Sequence, residues 1–184
     1  MKKVLVATGI PDYDRGIKRI DGYYYIPIDI GYKSELFEAC LNFKPDIIIV
    51  SEKLSGDELL SEIAISIKQS NPNVRVVYLA GSVDVTNMNK INKLGAMVLA
   101  GIYDIVTEKK VNRGLIENIL EFPKDKSDVE YLLRYFLDKK KDVEVNMEFE
   151  EEVDEDEIVE DNFYKNVFMI SSIKPRHGQE LCFN

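Results

Sequence analysis

Five short apolar runs alternate with amphipathic stretches over the first two thirds of the chain. The runs, with their polar flanks, are residues 4–8, 24–29, 46–50, 74–80 and 101–106. The third run sets four β-branched residues in succession, Ile47–Val50, as is typical of a strand buried on both faces. Such a strand implies helices on each side of the sheet, and the repeated alternation favours parallel strands over an all-β fold. The sequence therefore predicts a doubly wound α/β domain.

The stretches between the runs carry apolar residues at helical spacing, and local signals predict where the helices begin and end. Asp12 and Ser34 are predicted to cap the first two helices. A fourth helix is predicted over 85–94, with Gly95 as its end. Pro27 has no N–H to donate to a neighbouring strand, so the second strand is predicted at an edge of the sheet.

The chain changes character after the fifth helix. We divide it into a sheet domain at 1–122, an additional helix within 123–141, an acidic linker at 142–164 and a final segment at 165–184. The additional helix is predicted from its apolar side, and the final segment begins with a predicted sixth strand at 166–171.

The net charge of the chain is −9, and it is concentrated in the acidic linker. Residues 148–161 hold ten carboxylates and no Lys or Arg, so the rest of the chain has a net charge of +1. Self-repulsion and low apolar content predict a solvated linker, with an acidic docking segment as the alternative. The nearly neutral remainder gives no support to nucleic-acid binding.

Membrane, secretory and metal-binding classes find little support in the sequence. No apolar run approaches the length of a membrane span, and Met1–Val6 lacks the long apolar segment of a secretory signal. Cys40 and Cys182 do not have the spacing of metal ligands, so free thiols in a reducing cytoplasm are expected. We therefore expect a cytoplasmic protein with no membrane span and no metal site.

The segments around the third and fifth runs resemble the receiver domain of response regulators. KPDIIIVSEKLSG is similar to the receiver segment around the phospho-accepting aspartate, and LAGIYDIVTEKK to the fifth strand and its exit. The resemblance covers Lys2 to about Leu120. It implies a five-stranded parallel sheet of receiver or flavodoxin-like order 2-1-3-4-5. A working receiver has an acidic pair after the first strand, an Asp after the third, a Thr or Ser after the fourth and a Lys after the fifth.

All the matching positions differ in this chain, which has Thr8 and Gly9, Ser51, Ala80 and Glu108 there. Without the acidic pair there are too few oxygen ligands for Mg²⁺. A serine is a poor phosphoryl acceptor without a base or metal nearby. Glu108 would repel a phosphoryl group that a Lys attracts. The resemblance therefore implies a pseudo-receiver, a regulatory or interaction module without enzymatic activity.

Protein contacts would be the function of such a module. By analogy with receivers, the contact face is built by the fourth helix, the fifth strand and the fifth helix, near Tyr103, Ile116 and Leu120. The partner would be another protein or a second copy. A phospho-accepting response regulator is the alternative, with Asp12 and Glu52 as a makeshift metal site. A flavodoxin-like cofactor protein is disfavoured, because ATGIPDYD offers one Gly and two acids where a phosphate would bind.

The final segment resembles the start of a different domain. VFMISSIKP is similar to the first strand and loop entry of MinD/ParA-type ATPases, whose phosphate loop reads K-G-G-x-G-K-[ST]. Lys174 matches the leading lysine, Pro175 takes the first glycine place and Gly178 matches a glycine. Glu180 stands where the loop needs a hydroxyl, so no nucleotide cofactor is expected. A nucleotide-binding ATPase is the alternative.

We interpret the broken loop as the result of a frameshift. The last nine residues can be encoded by codons that, after deletion of one base, read Gly-Thr-Gly-Lys-Ser-Phe-Val-Ser. Joined to Lys174 and Pro175, this restores K-P-G-T-G-K-S, whereas the alternative is an ordinary tail that merely resembles a loop entry. The whole layout resembles the CpaE/TadZ group. That implies the localisation module of an ATPase that positions pilus or secretion machinery, truncated within its Walker A loop.

Overall fold

The computed structural model describes residues 1–84, 86–134 and 137. Over this part, five strands form one parallel sheet in the order β2-β1-β3-β4-β5. The strands are β1 Lys2–Ala7, β2 Tyr23–Tyr25, β3 Ile47–Ser51, β4 Arg75–Leu79 and β5 Asp104–Val106. The predicted α/β class, the strand order and the edge position of β2 are confirmed.

A helix follows each strand, as parallel connections require. The helices are α1 Pro11–Ile17, α2 Lys33–Phe43, α3 Leu60–Ser70, α4 Met88–Leu99 and α5 Arg113–Glu121, followed by a 3₁₀ turn at Ser127–Val129 and a helical stretch at 130–134. None of the helices in this described part is long and apolar enough to cross a membrane.

The central strand β3 is buried along its whole length, between β1 and β4. Its side chains alternate between two cores. Ile48 and Val50 face the core formed with α2, α3 and α4, whereas Ile47 and Ile49 face the core formed with α1 and α5. Complete burial of each such side chain contributes about 1.5–3 kcal/mol. The predicted two-sided burial of this strand is confirmed.

The first two helices begin at other residues than the sequence indicated. α1 begins at Pro11, whose fixed φ suits the first helical position, so Asp12 is inside the helix. α2 begins at Lys33, so Ser34 is not its cap. The Glu35 carboxylate instead accepts the N–H groups of the two residues before the helix, at 2.9 and 3.1 Å.

The fourth helix extends beyond its predicted end. α4 runs to Leu99, and Gly95 is buried inside it rather than after it. Met97 and Val98 continue the buried apolar side of the helix past the glycine. An interior Gly costs about 1 kcal/mol relative to Ala, which is less than the gain from burying those two side chains. The chain turns instead at Gly101, where φ is +84°.

The folded domain continues past α5, held by a buried ion pair. Arg75 contacts Asp104 through Nε–Oδ2 at 2.6 Å and Nη2–Oδ1 at 3.0 Å. The backbone N–H of Lys124 donates to the same carboxylate at 2.9 Å. Val129 and Leu132 are then buried in the core beside α4. The start of the predicted additional helix therefore packs on the sheet domain.

The remaining predictions lie outside the described residues. They concern the acidic linker at 142–164, the strand at 166–171, Cys182, and the broken phosphate loop at Lys174, Pro175 and Gly178. These stay predictions.

Candidate functional site

The edge of the sheet where the strands end, called here the carboxyl edge, holds a cavity of about 560 Å³. Four of the predicted positions line it: Thr8 after β1, Ser51 at the end of β3, Ala80 after β4 and Glu108 after β5. Parallel strands bring these loops to one edge. The structure thus brings together residues that lie far apart in sequence.

Thr8 is buried, and its hydroxyl group forms a hydrogen bond with a residue that the sequence did not indicate as its partner. Its hydroxyl donates to Oδ1 of Asp14 at 2.5 Å, and its backbone N–H donates to the same oxygen at 3.2 Å. Asp14 is held in α1, one turn beyond the loop. Its carboxylate therefore fixes the turn from β1 into α1.

Gly9 occupies a place that no other residue fits. Its φ is +74°, in the region that favours glycine. A Cβ built there would lie 2.6 Å from the carbonyl oxygen of Lys53 and 2.7 Å from Cα of Leu54. The loop after β3 thus packs directly on the loop after β1. A carboxylate at this position, as in a working receiver, would require that backbone to move.

Ser51 and Ala80 are equally enclosed. The Ser51 side chain is 6% exposed, and its Oγ accepts the N–H of Lys53 at 3.2 Å. This bond from residue i+2 is a local turn that closes the strand exit. Ala80 is buried and offers no hydrogen-bonding side chain, while its N–H donates to Val106 at 2.9 Å. Both residues have local structural contacts.

The charge around the cavity differs from what Glu108 alone suggested. Glu52 and Glu108 line the cavity together with Lys53, Lys109 and Lys110. Lysines therefore outnumber carboxylates among these lining residues. The neighbouring cations offset the repulsion expected from Glu108.

A second cavity of about 470 Å³ lies beside the first and contains a polar network that the sequence did not indicate. The hydroxyl of buried Tyr78 donates to Oε1 of Glu52 at 3.3 Å. Nζ of Lys90, in the first turn of α4, lies 3.4 Å from Oε2 of Glu52 and donates to the carbonyl of Ala80. Burial, and then the Glu52 charge, raises the pKa of Tyr78. The network joins β3, β4 and α4.

The structure does not bring Asp12 and Glu52 to one site. Asp12 pairs with Arg15 on the exposed side of α1, whereas Glu52 pairs with Lys90. Across residues 1–84 and 86–134, no three His, Cys, Asp or Glu side chains are grouped so as to hold a metal ion. The donor atoms present at the carboxyl edge do not fit Mg²⁺.

The residues of the predicted contact face divide into core and surface. Ile116 is fully buried and Leu120 is 4% exposed, because both pack on the sheet from α5. Both side chains belong to the core of the sheet domain, and a contact face near them stays a prediction. Tyr103 is half-buried and packs against the other core. A partner at Tyr103 stays a prediction.

Comparisons with known proteins identify the fold. No family model matches the chain, and no curated protein matches it significantly. Solved structures do match. The isolated receiver domain of RcsB from Salmonella enterica serovar Typhimurium, solved with the phosphomimetic BeF₃⁻, is 16% identical with a TM-score of 0.53. That match covers 72% of this chain and 98% of the RcsB domain.

Two further solved structures are similar to this chain. A LuxR-family two-component response regulator from Aurantimonas sp. SI85-9A1 is 18% identical over 66% of this chain and 83% of its own, with a TM-score of 0.51. NtrX from Brucella abortus is 18% identical over 79% of this chain, with a TM-score of 0.51. The chain spans 29% of the NtrX chain. The sheet domain therefore has the receiver fold.

Proposed function

We propose that this chain carries a receiver-like module that regulates or localises other proteins through contacts and does not transfer phosphoryl groups. One observation carries the proposal. At Gly9, the backbone of Lys53 and Leu54 occupies the space that the Cβ of a metal-binding Asp or Glu would need. A receiver without that carboxylate lacks a ligand for Mg²⁺. The enclosed Ser51 Oγ accepts the N–H of Lys53, and a serine is a poor phosphoryl acceptor without a base or metal beside it.

The test is the reaction of the full chain with acetyl phosphate and Mg²⁺, followed by intact mass measurement. We expect no gain of one phosphoryl group, while a working receiver domain in the same tube gains one. Ser51→Asp, which restores the acceptor alone, is expected to stay unmodified, because the metal ligands remain missing.

The opposite outcome has a clear signature. A phosphoryl gain on the unaltered chain that Ser51→Ala removes would establish the phospho-accepting response regulator and overturn the proposal.

The finer part of the proposal is that this module belongs to a MinD/ParA-type ATPase of the CpaE/TadZ kind, acting in the cytoplasm in the positioning of pilus or secretion machinery. Its support is the sequence after the acidic linker, where Lys174, Pro175 and Gly178 follow the loop pattern and Glu180 breaks it. Equilibrium dialysis with radiolabelled ATP and Mg²⁺ tests the broken loop. We expect no binding, and measurable binding would instead support a nucleotide-binding ATPase.

A further inference from the structure

Helices α2 and α3 leave an apolar groove between them on the outside of the domain. Two adjoining cavities of about 300 and 480 Å³ form this α2–α3 groove, and Phe37 lines both. Leu41, which lines one cavity, is 52% exposed, and Leu59, which lines the other, is 43% exposed. Side chains of this size gain free energy when a partner covers them.

The two ends of the groove carry opposite charges. Lys44 lines the cavity where the two helices end, whereas Glu58 and Glu62 line the cavity where α3 begins. All three side chains are exposed, and the ion pairs within the described part of the chain involve other residues. These charges are available to a partner that presents the opposite order along its own surface.

A second copy of the chain, rotated by half a turn, presents its positive and negative charges in that opposite order. α2 and α3 run in the same direction, because each follows a strand of a parallel sheet. Half a turn about an axis through the middle of the groove, near Phe37, brings the lysine end of one copy over the glutamate end of the other. The symmetry repeats the contact, so each dimer gains it twice.

We propose that the chain forms a twofold dimer in which the α2–α3 grooves face each other and Lys44 of each copy meets Glu62 of the other. This deepens the proposed function and rests on it, since it names a second copy as a partner of the contact module. The groove lies on α2 and α3, whereas Tyr103 directly precedes β5.

The size of the groove sets the strength of the contact. Each helix has 11 residues, which makes the groove about 16 Å long. A standard stable interface covers roughly 800 Å² on each partner, more than the two helices offer between them. We therefore expect a weak dimer that dissociates on dilution and that salt weakens.

Sedimentation equilibrium of the full chain over a dilution series at low salt is the test. We expect a reversible monomer–dimer equilibrium. Lys44→Glu and Glu62→Lys should each lower the association constant by roughly tenfold, because each creates two like-charge contacts in the dimer. The double variant should recover most of the loss, since the exchanged charges meet again across the axis.

A matched pair of leucine variants controls the result. Leu41→Asp in the groove should abolish the dimer, whereas Leu99→Asp, at the 61% exposed end of α4, should leave it unchanged. Circular dichroism checks that each variant is folded.

Three results would overturn the dimer. The first is a monomer at every concentration, which would leave the groove to another partner. The second is a larger loss of dimer affinity in Leu99→Asp than in Leu41→Asp. The third is a double variant that associates more weakly than both single variants. The acetyl phosphate assay keeps the two proposals apart. If the chain is a monomer and gains no phosphoryl group, only the dimer proposal is contradicted. If it is a dimer and gains one, only the proposed function is contradicted.

Discussion

Polar side chains at the ends of β1 and β3 and at the starts of β4 and β5 have different kinds of partners. At the carboxyl edge, Thr8 and Ser51 make short-range hydrogen bonds that close neighbouring loops. At the amino edge, where the strands begin, Arg75 and Asp104 form a buried ion pair between residues 29 positions apart. A local bond contributes roughly 0.5–1.5 kcal/mol, whereas breaking a buried pair costs about 3–5 kcal/mol. At the edge that carries the chemistry of a working receiver, Thr8 and Ser51 are thus held in local bonds, and the opposite edge holds a two-point ion pair.

Asp104→Ala should give the largest loss of stability. It leaves the partly buried Arg75 guanidinium without its carboxylate, with the carbonyls of Ile119 and Leu120 as its other acceptors. It also removes the acceptor for the N–H of Lys124. We expect the free energy of unfolding to fall by about 3–5 kcal/mol, measured by urea unfolding followed by circular dichroism. The double replacement Arg75→Met/Asp104→Leu should cost less than Asp104→Ala, because no buried charge remains unpaired. A single variant as stable as the unaltered chain would remove the contrast between the edges.

Gly9→Ala should give the second-largest loss of stability. The new Cβ combines the strain of a positive φ with a clash against the backbone of Lys53 and Leu54. We expect a loss of about 2–3 kcal/mol in the same urea experiment. Gly81→Ala is the matched control, because its φ is +63° and nothing lies within 4 Å of the added Cβ. It should lose only about 1 kcal/mol. Equal losses would show that the two loops are not packed as described.

Glu52→Gln should have a smaller effect, on the polar network beside the candidate site. It weakens the contact to Lys90 and the acceptor for Tyr78, at a cost of about 0.5–1 kcal/mol. Because the Glu52 charge helps to raise the pKa of Tyr78, the variant should lower that pKa, while burial keeps it above the ordinary value. Ultraviolet difference titration of the tyrosines measures the change. Glu58→Gln, in the same cavity, should leave it unchanged.

The smallest expected effect at neutral pH concerns the chemical reactivity of the Cys40 thiol. Burial raises the pKa of its thiol from 9.0 to about 12. In a Cys182→Ser chain we expect a thiol reagent at pH 8 to modify Cys40 only as fast as the domain opens, because the thiolate is the reactive form. Modification as fast as in urea-unfolded chain would contradict the burial.

The raised pKa of Cys40 also makes the contribution of this thiol to the free energy of unfolding depend on pH. The folded-state pKa lies above the unfolded value, so the contribution is complete below about pH 9 and is lost as the pH rises towards about 12. The difference between the urea midpoints of the unaltered chain and of Cys40→Ala should therefore change in alkaline solution, because the unaltered chain loses more stability there. Parallel curves through that range would exclude a buried thiol.

The fold could be predicted because its signals are local. The succession Ile47–Val50 indicates two-sided burial without any knowledge of partners, and Pro27 indicates an edge strand by chemistry alone. Gly95 misled for the same reason. A glycine is a common helix end, but the buried residues beyond it, Met97 and Val98, decide where α4 ends.

The candidate site could be predicted only in part, because its contacts join distant residues. Alignment with receiver positions located Thr8 and Ser51, but no local signal shows that Gly9 faces the backbone of Lys53. The pairing of Arg75 with Asp104 has no sequence signature either, because it depends on the register between β4 and β5. A carboxylate shortly after the first strand, Asp14, was a usable signal for the partner of Thr8.

The close packing at Gly9 also bears on how this domain can change over evolutionary time. A replacement of Ser51 by aspartate alters one side chain, but a carboxylate after β1 is incompatible with the present position of the loop after β3. A stepwise path to the acidic pair of a working receiver would need that loop to be rebuilt before a carboxylate fits after β1. Intermediates along such a path carry the instability expected of Gly9→Ala without the new activity. The glycine therefore restricts which substitutions the loop after β1 can accept while the loop after β3 keeps its present position.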